Sequence, residues 1–329
     1  MLLDIFITHW TEPWEIGKKN FDMLALQRLL HWNNVRVTLV HDGSECFPEE
    51  YFAGYPYKVN QVSLPHGGIA KARNWCIDHA EAEWIKWCDF DDMFAGVDSV
   101  REIVHALEDS AGFDMLWFRF LFEMNGGLYE KTDREPVLLH GKVFRTSFLR
   151  DHNIRFQEYL TWCEDSAFIA LIEMEIVPER VGMIKTSFPL YVYISRQGSL
   201  CNRPEILFDN RKSFFLRHQY VADQLRLHGQ DKESDRFTVR TLGDSYITLV
   251  EIGTEDAEAY AEHERDVWDY FTAHKEEFLR VNQKDFDAVL GFVNQENKQH
   301  LKNGPVTKEK LTGWLKQLRI KYQEVIEDG

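Results

Sequence analysis

The chain opens with a short apolar run, LLDIFITHW, and passes into EIGKKNFDMLALQRLLHW, where Phe21, Leu24, Leu29 and Trp32 recur at helical spacing. The run predicts a buried strand ending near Thr8, and the spacing predicts a helix of about four turns. VRVTLV predicts a second strand, cut off by the turn sequence HDGS. KVNQVSL predicts a third. GGIAKARNWCIDHAEA starts on two glycines and continues as a helix, and EWIKWC predicts a fourth strand that runs into DFDD. Strand–helix–strand, given twice, predicts an α/β domain with a mainly parallel sheet.

Further along, SVREIVHALE reads as a helix, FDMLWFRFLFE as one apolar strand and NGGLYEKTDREP as a loop. VLLHGKVFRTSFLRDHNIRF predicts a strand and then a short helix. WCEDSAFIALIEM predicts a helix with Phe168, Leu171 and Ile172 on its apolar face and Glu164 and Asp165 at its start. SFPLYVYISRQGSL predicts a strand followed by a turn. Beyond about residue 205 three helical stripes follow: Phe214, Val221 and Leu225; Trp268, Phe271 and Phe278; and Leu311, Trp314, Leu315, Leu318 and Tyr322. The expected organisation is an α/β domain over 1–204 and a mostly helical appendage over 205–329.

Composition narrows the function. A chain of 329 residues has room for about two domains. Its formal net charge of −16 excludes a broad basic surface for nucleic acid, though not one small basic pocket. The five cysteines, at 46, 76, 88, 163 and 201, form no CxxC pair, which fits a reducing compartment better than a disulfide framework. The amino terminus carries Asp4 where a secretory leader has basic residues, and no run reaches the roughly 18 apolar residues of a membrane span. A cytoplasmic location is expected, and membrane-bound substrates stay compatible with it.

Ligands of open parallel sheets bind beyond the carboxyl ends of the strands. Those ends carry Thr8 and His9, Asp42, and the acids Asp89, Asp91 and Asp92. Neighbouring carboxylates repel, so such a cluster gains most from a divalent cation such as Mn²⁺ or Mg²⁺, which takes oxygen ligands and a substrate phosphate. The competing reading is an acidic turn capping the next helix, and the preceding strand–helix units favour the metal. Gly68 opens a helix whose free amides suit phosphate, with Lys71 and Arg73 in its first turns. A solvated basic face is the ordinary use of such a pair. Asp42 suits a hydrogen bond from a base N–H, yet alone it reads as a turn residue. Glu164 and Asp165 follow Trp162; a desolvated carboxylate there suits a general base, and an N-cap is the plainer reading. His140, Lys142, Arg145, Arg196 and Ser199 are each individually ordinary surface residues.

Taken together, VHDGS, GGIAKARN, WIKWCDFDD, GKVFRTSFLRDHNIRF, WCEDSAFI and YISRQGSL, in this order, resemble a family 2 glycosyltransferase of GT-A fold over about residues 1–200. The resemblance implies a metal-dependent, inverting transfer of a sugar from a nucleotide-diphosphate donor, usually a uridine one, to an acceptor hydroxyl. That hydroxyl could belong to a glycan, a lipid-linked sugar, a protein side chain or a modified base. It implies Thr8, His9, Asp42, Gly68, Arg73, Asp89, Arg196 and Ser199 as donor-binding residues. Asp89 and Asp91 would hold Mn²⁺ or Mg²⁺, and Asp165 would be the catalytic base. Asp92, Glu164, Lys142, Arg145 and Trp162 form a second tier. His41 and the pair His9–Trp10 depart from the common pattern, and 191–203 lacks the late histidine that some relatives recruit to the metal, which leaves the third ligand unassigned. Two rival readings are a haloacid-dehalogenase-like phosphatase, whose D-x-D normally sits on a first strand, and a non-catalytic nucleotide-sugar-binding module. The carboxy-terminal helices are a candidate homodimer surface.

Overall fold

The computed structural model describes residues 1–28, 32–124, 127–132, 137–196 and 207–327. The chain forms two compact units, Met1–Asn202 and Arg203–Gly329.

In the first unit a seven-stranded sheet is built around β1 (Leu3–His9), with β2 (Val35–Asp42) and β3 (Val59–Leu64) to one side and β4 (Trp84–Asp89) to the other, all parallel. Every residue of β1 is buried, as expected of a parallel strand covered on both faces. Helix α1 (Trp14–Ala25) joins β1 to β2, and α2 (Ile69–His79) joins β3 to β4. The short strand β5 (Met93–Phe94) follows the acid cluster and precedes α3 (Ser99–Glu108). The apolar stretch read as one strand is two: β6 (Met115–Trp117) belongs to the large sheet, and β7 (Phe120–Met124) to a second. The break at Phe118–Arg119 lets the chain change sheets, which an unbroken apolar run does not reveal.

The segment read as a loop contains β8 (Gly127–Lys131), which pairs antiparallel with β7. Strand β9 (Lys142–Arg145) runs antiparallel between β4 and β6 and leads into α4 (Thr146–Asp151). Helix α5 (Glu164–Glu175) is followed by β10 (Val181–Met183), at the far edge of the large sheet, and β11 (Tyr191–Tyr193). The second sheet has the order β5-β11-β7-β8. Helix α1 is shorter than expected: it stops at Ala25, Trp32 lies in a separate 3-10 turn, and Leu29 lies outside the described residues.

The second unit is helical: α6 (Leu207–Leu227), α7 (Asp231–Tyr246), α8 (Ala257–Ala273), α9 (Lys275–Arg280), α10 (Gln283–Glu296) and α11 (Lys308–Glu327). Phe278 falls on α9, apart from Trp268 and Phe271 on α8. The buried face of α7 mixes Val239, Leu242 and Tyr246 with Ser234, Thr238, Thr241 and Ser245, so its apolar stripe is diluted by hydroxyls. Thr241 donates to the Phe237 carbonyl at 2.8 Å and Ser245 to the Thr241 carbonyl at 2.7 Å. Bonds to the preceding turn satisfy these hydroxyls and allow them inside. A π-helical turn, Ile247–Ile252, extends α7.

Candidate active site

Strand register brings the carboxyl-end residues together. Thr8 lies beside Asp89, and His9 beside His41. The Thr8 hydroxyl is buried with no hydrogen-bond partner. After Asp89 the chain folds back, with the Asp92 amide donating to the Asp89 carbonyl at 3.1 Å. Phe90 anchors this turn: its ring packs 4.5 Å from that of His9 and directly on Gly17 of α1, where a Cβ would come within 2.2 Å of it.

The three acids face different partners. Asp89 accepts a hydrogen bond from Arg73 Nη2 at 2.9 Å. Burial pulls its carboxyl up, but the Arg73 guanidinium, helped by Lys86, outweighs burial and holds it below the ordinary range. Asp91 pairs with Arg196 Nε at 3.0 Å, and Arg196 also reaches Glu12 at 3.1 Å. Asp92 is fully buried and accepts from the Tyr191 hydroxyl at 2.9 Å and the Ile194 amide at 2.8 Å. Burial, and then the charges of Asp89 and Asp91, push it well above the ordinary range. His140 Nδ1 lies 3.5 Å from Asp92. Burial lowers that imidazole to about 3, so it is neutral and able to ligate.

One ligand atom each from Asp89, Asp92 and His140 fall within 4.8 Å of one another, the only such group among the described residues. This is a fit for a divalent cation: one buried and one half-buried carboxylate that repel each other, and a neutral imidazole. Asp91, the other expected ligand, pairs with Arg196. His140, read as ordinary surface, lies in the turn just before β9 and is buried beside Tyr191, with ring centroids 5.9 Å apart. Below the acids, the buried Lys86 ammonium sits 4.2 Å over the Tyr191 ring and donates to the Trp87 carbonyl at 2.5 Å.

Arg73 joins the acid turn to the start of α5. It is buried and donates to Glu164 Oε1 at 2.7 Å as well as to Asp89. Cys163, in the left-handed region at φ 66°, turns the chain into α5. Phe168 of the same helix stacks on Phe156 at 3.9 Å, with Trp87 edge-on to both. These aromatic contacts fix Glu164 and Asp165 against β4. Asp165 is not paired with Arg73; its Oδ1 accepts from the Ser166 amide at 2.7 Å. Burial, and then the Glu164 charge, raise its carboxyl to about 7. A carboxyl poised there suits a general base.

Other expected residues are placed differently. Asp42 accepts from the Gly67 and Gly68 amides at 2.8 and 2.9 Å and meets His66 Nδ1 at 3.0 Å, so its carboxylate shapes the loop before α2. Gly68, at φ 86°, adopts a conformation that favours glycine. His9 is buried between His41 (Nδ1 to Nδ1, 2.9 Å) and the Glu12 carbonyl (2.8 Å). Lys142 is buried and donates to the Leu138 carbonyl. Arg145 does not join the site. Because β9 is antiparallel, Arg145 lies beside Trp84 at the opposite edge of the sheet, bonded to the Phe113 and Ser110 carbonyls. Trp162 is half-buried just before α5, and Ser199 lies outside the described residues.

A strand-end acid cluster linked through arginine to a carboxylate pair at a helix start, on this sheet order, defines a GT-A glycosyltransferase. The model of glycosyl transferase family 2 matches residues 5–177, and the chain belongs to that family. Poly(ribitol-phosphate) beta-N-acetylglucosaminyltransferase TarS of Staphylococcus aureus strain Mu50 is 28% identical over 134 residues, which cover 36% of this chain and 23% of that protein. The match thus spans about a quarter of that relative's length. Among solved structures, S. aureus TarS aligns with a TM-score of 0.62 at 15% identity, covering 91% of this chain and 54% of the other. TarS 1-349 in complex with UDP-GlcNAc aligns at 0.51 and 18% identity, covering 90% and 92%. These similarities support the fold. The phosphatase and binding-module readings give way to a glycosyltransferase.

Proposed function

We propose that this glycosyltransferase moves a sugar from a uridine-diphosphate donor, N-acetylglucosamine being the first candidate, to a hydroxyl of a polyol-phosphate or glycan acceptor, with inversion. The observation that carries this reading is the junction made by Arg73. It ties the Asp89–Asp92–His140 cluster to the helix start where Asp165 is raised to about 7. The matched relative acts on poly(ribitol-phosphate), and a structural neighbour holds UDP-GlcNAc. A divalent cation, Mn²⁺ or Mg²⁺, held by Asp89, Asp92 and His140 would offset charge on the departing diphosphate.

The chain's own residues do the rest. Asp165 takes the proton of the acceptor hydroxyl as its oxygen bonds the anomeric carbon. The bond from that carbon to the diphosphate oxygen breaks on the opposite face, and the electron pair leaves with the nucleotide. The unpartnered Thr8 hydroxyl and Arg73 Nε are polar atoms that a bound donor would satisfy. Arg196, with Ser199, would exchange its contact with Asp91 for the diphosphate. We place the chemistry in residues 1–204, with 205–329 as an appendage, in a cytoplasmic protein; among the described residues no helix is long and apolar enough to cross a membrane.

The test is a thermal-shift panel of UDP, GDP, CDP, ADP and TDP with and without Mn²⁺ or Mg²⁺. A ligand that binds only the folded chain raises the melting temperature. A cation-dependent shift with UDP, lost in His140→Ala, is expected. Absence of any nucleotide shift would refute the donor assignment. A shift unchanged in His140→Ala would take His140 out of the ligand set and leave Asp89 and Asp91, the pair expected from the resemblance.

A further inference from the structure

The second sheet presents two unlike faces. Side chains of directly paired residues lie on the same face, and neighbours along a strand alternate. Tyr191 pairs with Phe120, Tyr193 with Phe122, Phe122 with Tyr129, and Phe120 with Lys131. One face therefore carries Tyr191, Tyr193, Phe120, Phe122, Tyr129 and Lys131. The other carries Leu121, Glu123, Leu128 and Glu130, because Leu121 pairs with Glu130 and Glu123 with Leu128. In a chain of net charge −16, the aromatic face holds a lysine and none of the acids of these paired strands.

That face is graded from core to solvent. Tyr191 and Phe120 are buried, Phe122 and Tyr193 are half-buried, and Tyr129 is 52% exposed. Tyr193 and Phe122 stack at 4.6 Å with their rings 14° apart, and the Tyr129 ring lies against Gly127. The inner end meets the candidate active site. The Tyr193 ring is 4.7 Å from that of His140, and the next residue, Ile194, donates its amide to Asp92. Outward, Lys131 Nζ lies 6.0 Å from the Phe122 ring centre. The row therefore starts in the core, where Phe122 still packs, and leaves it at Tyr129; an exposed ring at the end of an aromatic row continuous with a catalytic pocket marks binding surface.

The geometry points to an acceptor platform: a polyhydroxylated, phosphate-bearing chain lies along Tyr193, Phe122 and Tyr129, with its reacting end at Asp165 and a phosphate near Lys131. The apolar C–H edges of a polyol or sugar fit the electron-rich ring faces, and its hydroxyls stay in water. Lys131 supplies a point charge for an anionic link, and the acids sit on the face the chain does not touch. The inference rests on the glycosyltransferase reading and adds the acceptor's path to it.

The experiment is saturation-transfer NMR of a synthetic ribitol-phosphate oligomer with the full chain loaded with UDP and the diamagnetic Mg²⁺, titrated to a Kd. Tyr129→Ala should weaken binding roughly three- to tenfold, the size of one aromatic contact. Tyr129→Phe should restore it. Leu128→Ala, on the opposite face, should match wild type and controls for damage to β8. Failure of the wild-type chain to bind the oligomer, or equal binding by Tyr129→Ala, overturns the platform. Release of UDP from UDP-GlcNAc by wild type is measured separately. Its absence would refute the donor reading, whereas release without Tyr129-dependent oligomer binding would refute the platform alone.

Discussion

Asp165 shows how the site sets its own chemistry. Its carboxyl ordinarily titrates at 3.8, and here burial and the Glu164 charge raise it to about 7. Between those values the native chain holds a proton that the unfolded chain has released, so this group makes stability fall as the pH rises through that window. Asp165→Asn removes the effect, and its melting temperature should exceed wild type at pH 8 by an amount worth roughly 1–2 kcal/mol. The same variant should bind UDP normally and lose transfer by about 10²–10⁴-fold, the range for a general base. Wild-type kcat/KM, followed against pH, should rise as Asp165 loses its proton near 7. Arg73 is the second decisive residue. Arg73→Met leaves Asp89 and Glu164 facing each other without their cation and should cost about 3–5 kcal/mol by urea denaturation. Arg73→Lys, which lacks the fork that meets both carboxylates, should fall between.

The elements position these residues through close packing. Helix α1 touches the acid turn at one point, where Gly17 receives the Phe90 ring. Gly17→Ala must displace a ring that lies between Asp89 and Asp91. It should destabilise the chain by about 1–3 kcal/mol and reduce the Mn²⁺-dependent UDP shift. A loss of stability with an unchanged shift would separate packing from site geometry. Strand β9 shows what direction does. Because it runs against β4, it delivers Lys142 near the site and Arg145 to the far edge, where Arg145 bonds backbone carbonyls. The family resemblance put Lys142 and Arg145 in a second tier of site residues, and antiparallel pairing carries Arg145 away from the site.

At the scale of the molecule, each unit has its own buried core. One runs from Leu3 to Tyr191, and the other from Phe208 to Leu318. A separate core is the physical basis of independent folding. Residues 203–329 expressed alone should therefore be helical by circular dichroism and unfold cooperatively; a molten, non-cooperative fragment would show that this core depends on the rest of the chain. Acidity is also a property of the whole: a net charge of −16 disfavours polyanions in bulk. An anionic acceptor would have to be met locally, as the single Lys131 on its acid-free face allows.

Sequence alone determined the strand–helix alternation of the first 90 residues, the strand-end acids, the ED pair opening α5 and the helical second unit. It could do so because hydrophobic period, glycine placement and charge clusters are local and survive in one dimension. It also gathered Thr8, His9, Asp42 and the DFDD acids along one edge, since parallel strands share a carboxyl edge; Arg73 and Asp165 lie on helices and joined them only through the family resemblance. Tertiary structure decided the rest. Only folding shows that Asp91 faces Arg196 while Asp92 faces His140, that Asp42 is spent on the Gly67 and Gly68 amides, and that β8 continues an aromatic row. These outcomes depend on which strand lies beside which and in what direction, and on the burial and partners that follow. Such pairings join residues tens of positions apart, where local pattern carries no signal.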